Sequence, residues 1–311
     1  MKIYFAPLDG VTSHIYRNAY ADFFEGVDKY FAPFISPCHN PKLKGKEIKD
    51  LLPENNNDKV RLIPQIMANN AEYFVKGAKQ IAEMGYDEVN LNAGCPSGTV
   101  VPKGRGAGFL KDTYLMEKFF DEIFEKLDMK ISVKTRIGLT AADEFEEIME
   151  VYNKFPFEEI IIHPRTRVQL YKGEPDMEAF NMAYRISKNK LSYNGNIFTL
   201  EDYKEIESKY EINSVMLGRG LLRNPNLAEE IKQNKKIEIS KEKLRKFYDR
   251  VFDDFAADMS SDKHLLNKMI EMWNYWSYAT TDQHKCAKMI RKAHNVQKYR
   301  QAVDEIFEKF I

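Results

Sequence analysis

The sequence predicts an α/β fold: a (β/α)8 TIM barrel followed by a small all-helical carboxy-terminal domain. Eight short β-rich segments alternate with segments of helical periodicity over about the first 235 residues. Such an alternation favours eight parallel strands surrounded by helices. After a charged stretch that begins near residue 231, the remaining sequence has helical spacing only. We therefore assign residues 1–235 to the barrel and residues 241–311 to the helical domain.

The predicted strands are short apolar runs with many β-branched and aromatic residues. In chain order they are Ile3–Ala6, Tyr30–Pro33, Arg61–Ile66, Glu88–Asn92, Lys130–Thr135, Glu159–His163, Leu191–Tyr193 and Ser214–Leu217. A six-stranded doubly wound sheet is the alternative. No GxGxxG motif follows the first strand, so a dinucleotide-binding fold of that type has little support.

Helical periodicity is clearest in four of the connecting segments and in the carboxy-terminal part. The connecting segments are Ala71–Met84, Tyr114–Lys126, Glu144–Phe155 and Leu200–Tyr210. In the carboxy-terminal part, Lys241–Met259 and Lys263–Tyr278 have amphipathic spacing, and Asp282–Phe310 is expected to form one or two further helices.

The composition indicates a soluble protein, which we expect to be cytoplasmic and free of the membrane. Of the 311 residues, 43% are hydrophobic, yet no apolar run approaches the roughly twenty residues of a membrane helix, and the first residues do not resemble a leader peptide. The three cysteines, Cys38, Cys95 and Cys286, are widely spaced, which argues against a disulfide framework or a metal site. The net charge of zero leaves only local basic patches for nucleic acid. No obligate protein partner is indicated.

Polar residues and glycines follow the predicted strands where a barrel enzyme places its chemistry, at the strands' carboxyl ends. Seven ends share this feature, and they carry Asp9, Gln65, Asn92 with Cys95, Lys134, His163, Asn194 and Arg219. Each residue has a structural alternative, such as a solvated charge for Lys134 or a hydrogen-bonded core histidine for His163. Their common position in the repeat favours one shared site.

The segment from Asn90 to Leu110, NLNAGCPSGTVVPKGRGAGFL, carries the most information about that site. Its glycines allow close approach of the backbone to a ligand, and Pro96 stiffens the turn after Cys95. The segment predicts a reactive thiol at the end of a strand. A buried and inert cysteine in a glycine-rich turn is the alternative.

The last two strand ends predict a phosphate site. Asn194-Gly195-Asn196 and Gly218-Arg219-Gly220 offer backbone N–H groups, and Arg219 can form two hydrogen bonds to phosphate oxygens. Lys134 would add a cation suited to a reduced isoalloxazine ring or an enolate, and Gln65 can bond an amide-like ring edge. These groups suit flavin mononucleotide (FMN), although a sugar phosphate would also satisfy them.

Taken in order, NLNAGCP, GRGAGFL, VKTRIG, HPRTR, NGN and LGRG resemble motifs of the tRNA-dihydrouridine synthase family, and the similarity covers the whole chain from APLDGVT onward. The segment from Asn92 to Pro96 is the most discriminating, since other FMN barrels share the phosphate loops but lack it. The resemblance implies an FMN-dependent enzyme that reduces the C5=C6 bond of specific uridines in tRNA to 5,6-dihydrouridine, with NADPH as reductant.

By matching positions, the resemblance implies that Cys95 is the catalytic cysteine and that Asn92 contacts the uracil. The residues that would line FMN are Pro7, Leu8, Asp9, Gln65, Lys134, His163, Asn194, Gly195, Asn196, Gly218 and Arg219. Two positions depart from the family pattern. Pro164 stands where Gly or Ala is common, and it favours an extended backbone that a strand end already has. Asn196 stands where Asp is common, which removes a carboxylate near the cofactor.

The implied reaction adds a hydride and a proton to uracil. Hydride transfer from N5 of the reduced flavin to C6 leaves enolate character across C5 and O4, and a proton must then reach C5. We expect Cys95 to donate it, because cysteine thiols are mostly protonated at neutral pH. Attack of a thiolate on C6 is the competing role, but it would block the carbon that receives the hydride.

A base inside folded tRNA has to be extruded into the barrel mouth, so we expect most of the affinity to come from other parts of the RNA. Lys285, Lys288 and Lys292 share one face of a predicted helix and suit a row of phosphates, although a solvated helix face has the same pattern. Basic residues expected around the mouth are Lys103, Arg105, Arg136, Arg165 and Arg167.

Two other functions compete with this hypothesis. An FMN barrel reductase with a small free substrate would not need the basic helical region. A non-catalytic RNA-binding protein would not need Cys95, Lys134 and the phosphate loops together.

Overall fold

The computed structural model describes residues 1–38 and 45–311, and it confirms the predicted barrel. Its strands are β1 (Lys2–Phe5), β2 (Lys29–Phe31), β3 (Leu62–Ile63), β4 (Gln65–Ile66), β5 (Glu88–Ala93), β6 (Lys130–Arg136), β7 (Ile160–His163), β8 (Leu191–Tyr193) and β9 (Ser214–Leu217). Neighbouring strands are parallel, in the order β3-β2-β1-β9-β8-β7-β6-β5-β4. β3 and β4 are the first and last strands in this order, and only Pro64 separates them in the chain. They therefore form one interrupted strand, and the sheet closes into a barrel.

Pro64 corrects the prediction of one continuous strand over Arg61–Ile66. Proline has no N–H to donate, so the hydrogen-bond ladder is interrupted at this residue. Before it, Leu62 pairs with Tyr30 of β2; after it, Gln65 pairs with Asn90 of β5. The interruption therefore falls where the barrel closes.

Helices lie between the strands and fill the carboxy-terminal part. They are α1 (His14–Phe23), α2 (Lys46–Lys49), α3 (Ala71–Glu83), α4 (Thr113–Lys126), α5 (Glu144–Tyr152), α6 (Met177–Ile186), α7 (Leu200–Lys209), α8 (Arg219–Arg223), α9 (Leu227–Gln233), α10 (Lys241–Asp258), α11 (Asp262–Trp276), α12 (Gln283–Arg291) and α13 (Val296–Lys309). Short 3-10 helices occur at Pro53–Asn55, Val101–Lys103, Gly106–Lys111 and Ser277–Ala279. The predicted segment Asp282–Phe310 thus forms two helices.

Side-chain caps define where many of these helices begin. Asn70 accepts from the backbone N–H of Tyr73 at the start of α3, and Thr199 forms a reciprocal capping box with Asp202 at the start of α7. Similar caps begin α4, α6, α10, α11, α12 and α13. Short polar residues before each apolar stripe therefore explain the close agreement between predicted and observed helix starts.

The barrel interior has an apolar and a polar side. The apolar side consists of Tyr4, Ala6, Phe31, Ile63, Ile161 and Met216. On the polar side, β4, β5 and β6 bury Gln65, Glu88, Asn90 and Ser132. The larger apolar core lies between strands and helices and continues into the carboxy-terminal part. There Phe247 of α10 packs on Tyr16 and Tyr20 of α1 and on Phe24, which follows α1. In the described ranges, no helix has both the length and the apolar character needed to cross a bilayer.

Candidate active site

The carboxyl ends of the strands surround a cavity of about 580 Å³, which we call the mouth cavity. Most of the predicted site residues line it: Pro7, Leu8, Asp9, Gln65, Asn92, Cys95, Lys134, Arg136, His163, Asn194, Gly195, Gly218 and Arg219. Its volume lies within the range of small-molecule and cofactor sites. The strand ends that carried the prediction therefore do converge on one site.

A second cavity of about 580 Å³, the outer cavity, adjoins the mouth cavity. Lys103 and Arg105 line it, together with Ser97, Thr99 and Val100 of the glycine-rich segment. The two cavities share the residues Asp9, Phe34, Cys95, Pro96 and Tyr171. Cys95 therefore lies at the boundary between them and is reached from both.

Hydrogen bonds on both sides fix the backbone of Cys95. Its N–H donates to Asn92 Oδ1 at 2.9 Å, and its carbonyl accepts from the N–H of Ala107 at 2.9 Å. Gly106 has φ +55°, and a Cβ there would come within 2.7 Å of the Cys95 carbonyl oxygen. The loop can close over Cys95 in this way because residue 106 is glycine.

Asn92 uses both the oxygen and the nitrogen of its amide to support the loop that contains Gly94 and Cys95, which we call the cysteine loop. Its Oδ1 accepts from the N–H groups of Gly94 at 3.1 Å and Cys95 at 2.9 Å, and its Nδ2 donates to Gln65 Oε1 at 2.8 Å. Only 8% of Asn92 is exposed. In this geometry Asn92 places Cys95, and a contact of Asn92 with uracil stays a prediction.

Lys134 brings an unpaired cation to the mouth cavity. Burial, together with the nearby positive charge of Arg136, lowers the pKa of Lys134 to about 7. Within the described part of the chain, no carboxylate forms an ion pair with it. A lysine held in this way favours binding of an anionic group or a group that becomes anionic during a reaction.

The lowered pKa of Lys134 makes stability depend on pH. The unfolded chain keeps this proton up to about pH 10.5 and the folded chain releases it near pH 7, so between these values the free energy of unfolding rises with pH. We subtract the free energy of unfolding of Lys134→Met from that of the wild type. Between about pH 7 and pH 10.5 we expect this difference to rise by up to about 1.4 kcal/mol per pH unit. Denaturant unfolding of the cofactor-free protein measures it. Lys130→Met, an exposed change on the same strand, should show no such rise.

His163 is a neutral donor at the mouth cavity. Burial lowers its pKa well below the ordinary value, and the positive charges of Lys134 and Arg136 act in the same direction. Nη1 of Arg165 lies 3.0 Å from His163 Nε2, and because a guanidinium only donates, Nε2 must be the acceptor. The ring proton is therefore on Nδ1.

Arg136 and Arg165, two of the basic residues expected around the mouth, differ from Lys103 in their exposure. Both are buried. Arg136 donates to the carbonyls of Gly94 and Thr166, each at 2.9 Å, and so links the cysteine loop to the loop after β7. Arg165 donates to the carbonyl of Gly173 at 2.6 Å. Each side chain has turned inward because backbone carbonyls are available there.

The other basic residues predicted around the mouth differ in position. Lys103 is exposed at the outer cavity, and Arg105 beside it donates weakly to Asn69 Oδ1 at 3.4 Å. Arg167 lines neither cavity, and its Nε is buried. Of these three residues, Lys103 and Arg105 thus face a cavity, and no carboxylate in the described ranges pairs with either of them.

The two predicted phosphate loops lie in contact. Arg219, the first residue of α8, donates to Asn196 Oδ1 at 3.2 Å, and a Cβ on Gly220 would lie 2.2 Å from the Ile197 carbonyl oxygen. Asn196 does not line the mouth cavity and instead orients Arg219. Asn194 is fixed by a bond from its Nδ2 to the Met216 carbonyl at 2.8 Å.

Several cavity residues escaped the sequence analysis. Tyr171 is 57% exposed and lines both cavities, and its ring lies 5.1 Å from the guanidinium of Arg219. It follows Leu170, which has a left-handed backbone with φ +53°. Glu271, Asn274 and Tyr275 of α11 form another part of the wall. No local pattern marks these positions, because long-range packing brings them to the site.

The predicted basic row lies on the carboxy-terminal helices. Lys285 and Lys288 belong to α12, and Lys292 is the residue that follows it. All three are exposed, and among the residues with described positions none has a carboxylate partner within ion-pair distance. The row is free to contact an external group.

Solved structures of several oxidoreductases superimpose on this chain. Morphinone reductase in complex with tetrahydroNAD superimposes with a TM-score of 0.53 at 12% identity, covering 76% of this chain and 88% of that chain. Histamine dehydrogenase from Rhizobium sp. 4-9 gives 0.57 at 13% identity, covering 75% of this chain and 46% of that chain. At such identities the likeness concerns the fold, and it confirms the TIM barrel.

Sequence comparison identifies the family. The family model described as dihydrouridine synthase (Dus) matches residues 4–310, so the chain belongs to the dihydrouridine synthase family of oxidoreductases. A "Probable tRNA-dihydrouridine synthase" of Staphylococcus aureus (strain COL) is 28% identical over 231 residues, 71% of this chain and 68% of that protein. The "tRNA-dihydrouridine(16) synthase" of Escherichia coli O157:H7 is 28% identical over 244 residues, 75% of this chain and 76% of that protein. The family predicted from the motifs is confirmed.

Proposed function

We propose that this protein reduces uridine in tRNA to 5,6-dihydrouridine, with bound FMN, with NADPH as reductant and with Cys95 as the proton donor. The observation that carries the proposal is the position of Cys95 at the boundary between two cavities. One cavity collects the predicted cofactor residues, and the other has Lys103 and Arg105 at its wall. The names of the relatives support tRNA as the substrate.

The mouth cavity fits FMN by its donors and charge. Lys134 is a half-buried cation without a carboxylate partner in the described ranges, which suits the ring system. Arg219 with the backbone near Gly195 and Gly218 suits a phosphate. His163 Nδ1 adds a neutral donor. When bound, FMN supplies the hydride for C6 of uracil.

The chain itself supplies orientation and the proton. Cys95 carries its thiol on a backbone fixed by Asn92 and Ala107, so a uracil in the outer cavity meets a held donor for C5. The positive charge of Lys134 stabilises negative charge that develops on the base. Tyr171 lines both cavities beside Cys95.

The phosphate assignment predicts a loss of cofactor affinity in Arg219→Ala. This substitution removes charge-assisted hydrogen bonds worth roughly 1.5–3 kcal/mol, so FMN should bind about ten- to hundredfold more weakly. Titration of the cofactor-free protein with FMN, followed by flavin fluorescence, measures the change. Arg61→Ala removes an exposed arginine before β3 and serves as the matched control. Equal affinity of both variants would contradict the assignment of Arg219.

The proposed activity is tested in cells that lack the protein. Dihydrouridine in their tRNA is mapped before and after the gene is restored. We expect at least one position to lose the modification and to regain it with the wild-type gene, but not with Cys95→Ala. Unchanged dihydrouridine at every position would contradict the proposal.

A further inference from the structure

A chain of buried polar side chains runs along the inside of the barrel to Asn92. Glu88, Asn90 and Asn92 are alternate residues of β5 and therefore point to the same side, into the barrel. Gln65 of β4 and Ser132 of β6 stand beside them, at the positions that pair with Asn90. At most 8% of any of these five residues is exposed, and we call them the buried amide chain.

Each member of the buried amide chain bonds to the next. Asn92 Nδ2 donates to Gln65 Oε1 at 2.8 Å, and Gln65 Nε2 donates to Asn90 Oδ1 at 2.7 Å. Asn90 Nδ2 donates to Ser132 Oγ at 2.9 Å, and that hydroxyl donates to Glu88 Oε1 at 3.1 Å. The other carboxylate oxygen of Glu88 accepts from Lys29 Nζ at 2.5 Å. The bonds thus connect the cysteine loop to an ion pair at the opposite end of the strand.

Both ends of the chain fix its direction. At the mouth, the backbone N–H groups of Gly94 and Cys95 can only donate, so Asn92 must present its oxygen to them. At the other end, an ionised Glu88 only accepts, so Ser132 must donate to it. Every amide between these ends then has one orientation that satisfies both of its neighbours.

We propose that Glu88, paired with Lys29, is a positioning residue that orients the Asn92 amide and thereby holds the backbone of Cys95. Glu88 lies four residues before Asn92, about 13 Å along the strand, and touches neither cavity that adjoins Cys95. Its effect on tRNA reduction rests on the function proposed above, whereas its effect on the Cys95 backbone does not.

Glu88→Gln should reverse the chain. The new amide avoids pointing its NH2 group at the Lys29 ammonium, so it presents oxygen to Lys29 and NH2 to Ser132. The Ser132 hydroxyl, which now accepts from the new amide, keeps one proton to donate, and Asn90 Oδ1 is the acceptor beside it. We expect the hydroxyl to donate there, which requires Asn90 and Gln65 to turn over in sequence. Asn92 finally directs its own NH2 at the N–H groups of Gly94 and Cys95, which breaks the bonds that hold the cysteine loop.

Selective ¹⁵N-cysteine labelling tests this inference without any substrate. The chain has three cysteines, so the spectrum contains three backbone amide signals, and Cys95→Ala identifies the one of interest. In Glu88→Gln we expect the Cys95 signal to move upfield and its amide hydrogen to exchange roughly three- to tenfold faster, as a hydrogen bond is lost. The signals of Cys38 and Cys286 should stay in place.

Glu159→Gln is the matched control. Glu159 is also buried, immediately before β7, and burial raises its pKa. It accepts from Ser214 and is not hydrogen bonded to the buried amide chain. We expect its variant to leave the Cys95 signal unchanged. A folded Glu88→Gln protein with a wild-type Cys95 signal and exchange rate would overturn the inference.

A double variant separates positioning from stability. In Lys29→Met/Glu88→Gln the ammonium is absent, so the amide can return its oxygen to Ser132 and restore the chain's direction. We expect the Cys95 exchange rate and the rate constant of the tRNA-dependent step to recover toward wild type, while the free energy of unfolding stays below wild type. The tRNA dissociation constant should not change in either variant. Failure of the double variant to recover would contradict the inference.

If Glu88→Gln does not fold, a substitution of Ser132 provides a second test of the buried amide chain. Ser132→Ala removes the acceptor of Asn90 and should accelerate Cys95 exchange, although less than a reversal of the chain. Ser192→Ala is its control, because the buried Ser192 hydroxyl has no partner in the described part of the structure. Equal exchange in these two variants would overturn the inference. If the Cys95 signal shifts in Glu88→Gln but the wild-type enzyme reduces no uridine, the proposed function is wrong and the inference about Glu88 still stands.

Discussion

Cys95→Ala is expected to slow the reduction of tRNA by roughly a hundred- to ten-thousandfold, which is the usual contribution of a positioned general acid. Binding of FMN and its reduction by NADPH should remain normal. The reason is the position of Cys95 where the mouth cavity meets the outer cavity, whereas Asn194 and Arg219 line the mouth cavity alone. The change therefore removes a proton donor and leaves the cofactor contacts intact.

Anaerobic stopped-flow measurement isolates this step. Reduced enzyme is mixed with undermodified tRNA, and reoxidation of the flavin is followed by absorbance. Cys38→Ala, a change at an exposed cysteine, is the control and should reoxidise at the wild-type rate. If Cys95→Ala matches that rate, the proton comes from another group, and the role assigned to the glycine-rich segment is wrong.

Reversal of charge along the basic row should weaken tRNA binding by roughly a hundredfold near physiological salt. In the variant Lys285→Glu/Lys288→Glu/Lys292→Glu, three exposed cations without carboxylate partners in the described ranges become anions. Each lost phosphate contact should also reduce the slope of log K against log salt by about one unit or somewhat less. Binding isotherms at several salt concentrations measure both quantities.

The control reverses the same number of charges at the other end of the barrel. Lys2, Lys130 and Lys190 are exposed at the amino-terminal ends of β1, β6 and β8, opposite the mouth cavity. Two of them form exposed ion pairs, whose loss costs little stability. If the two triple variants bind tRNA equally, the basic row is a solvated surface and the RNA docks elsewhere.

The sequence predicted the features that local chemistry determines. Apolar runs marked the strands, caps such as Asn70 and Thr199 marked the helix starts, and the residues that follow the strands marked the mouth cavity. Pro64 was visible in the sequence, yet its effect depends on which neighbours β3 and β4 pair with. Strand pairing is a long-range property that no short window contains.

Side-chain direction and packing between distant segments could not be predicted from the sequence. Arg165 was predicted to lie around the mouth, but its burial and its bonds to the carbonyl of Gly173 and the ring of His163 could not be predicted. Tyr275 reaches the mouth cavity only because α11 packs against the barrel. The buried amide chain likewise depends on the register of β4, β5 and β6, which places Gln65 and Ser132 beside Asn90.

We propose that Cys95 and the two cavities around it serve the reduction of uridine in tRNA. The most direct measurement is mass spectrometry of undermodified tRNA after anaerobic incubation with the purified FMN-bound protein and NADPH. We predict that one or more uridines become two hydrogen atoms heavier with the wild-type protein and remain unmodified over the same time with Cys95→Ala. A wild-type protein that consumes NADPH with a small unsaturated carbonyl compound but leaves every uridine in the tRNA unchanged would contradict this claim.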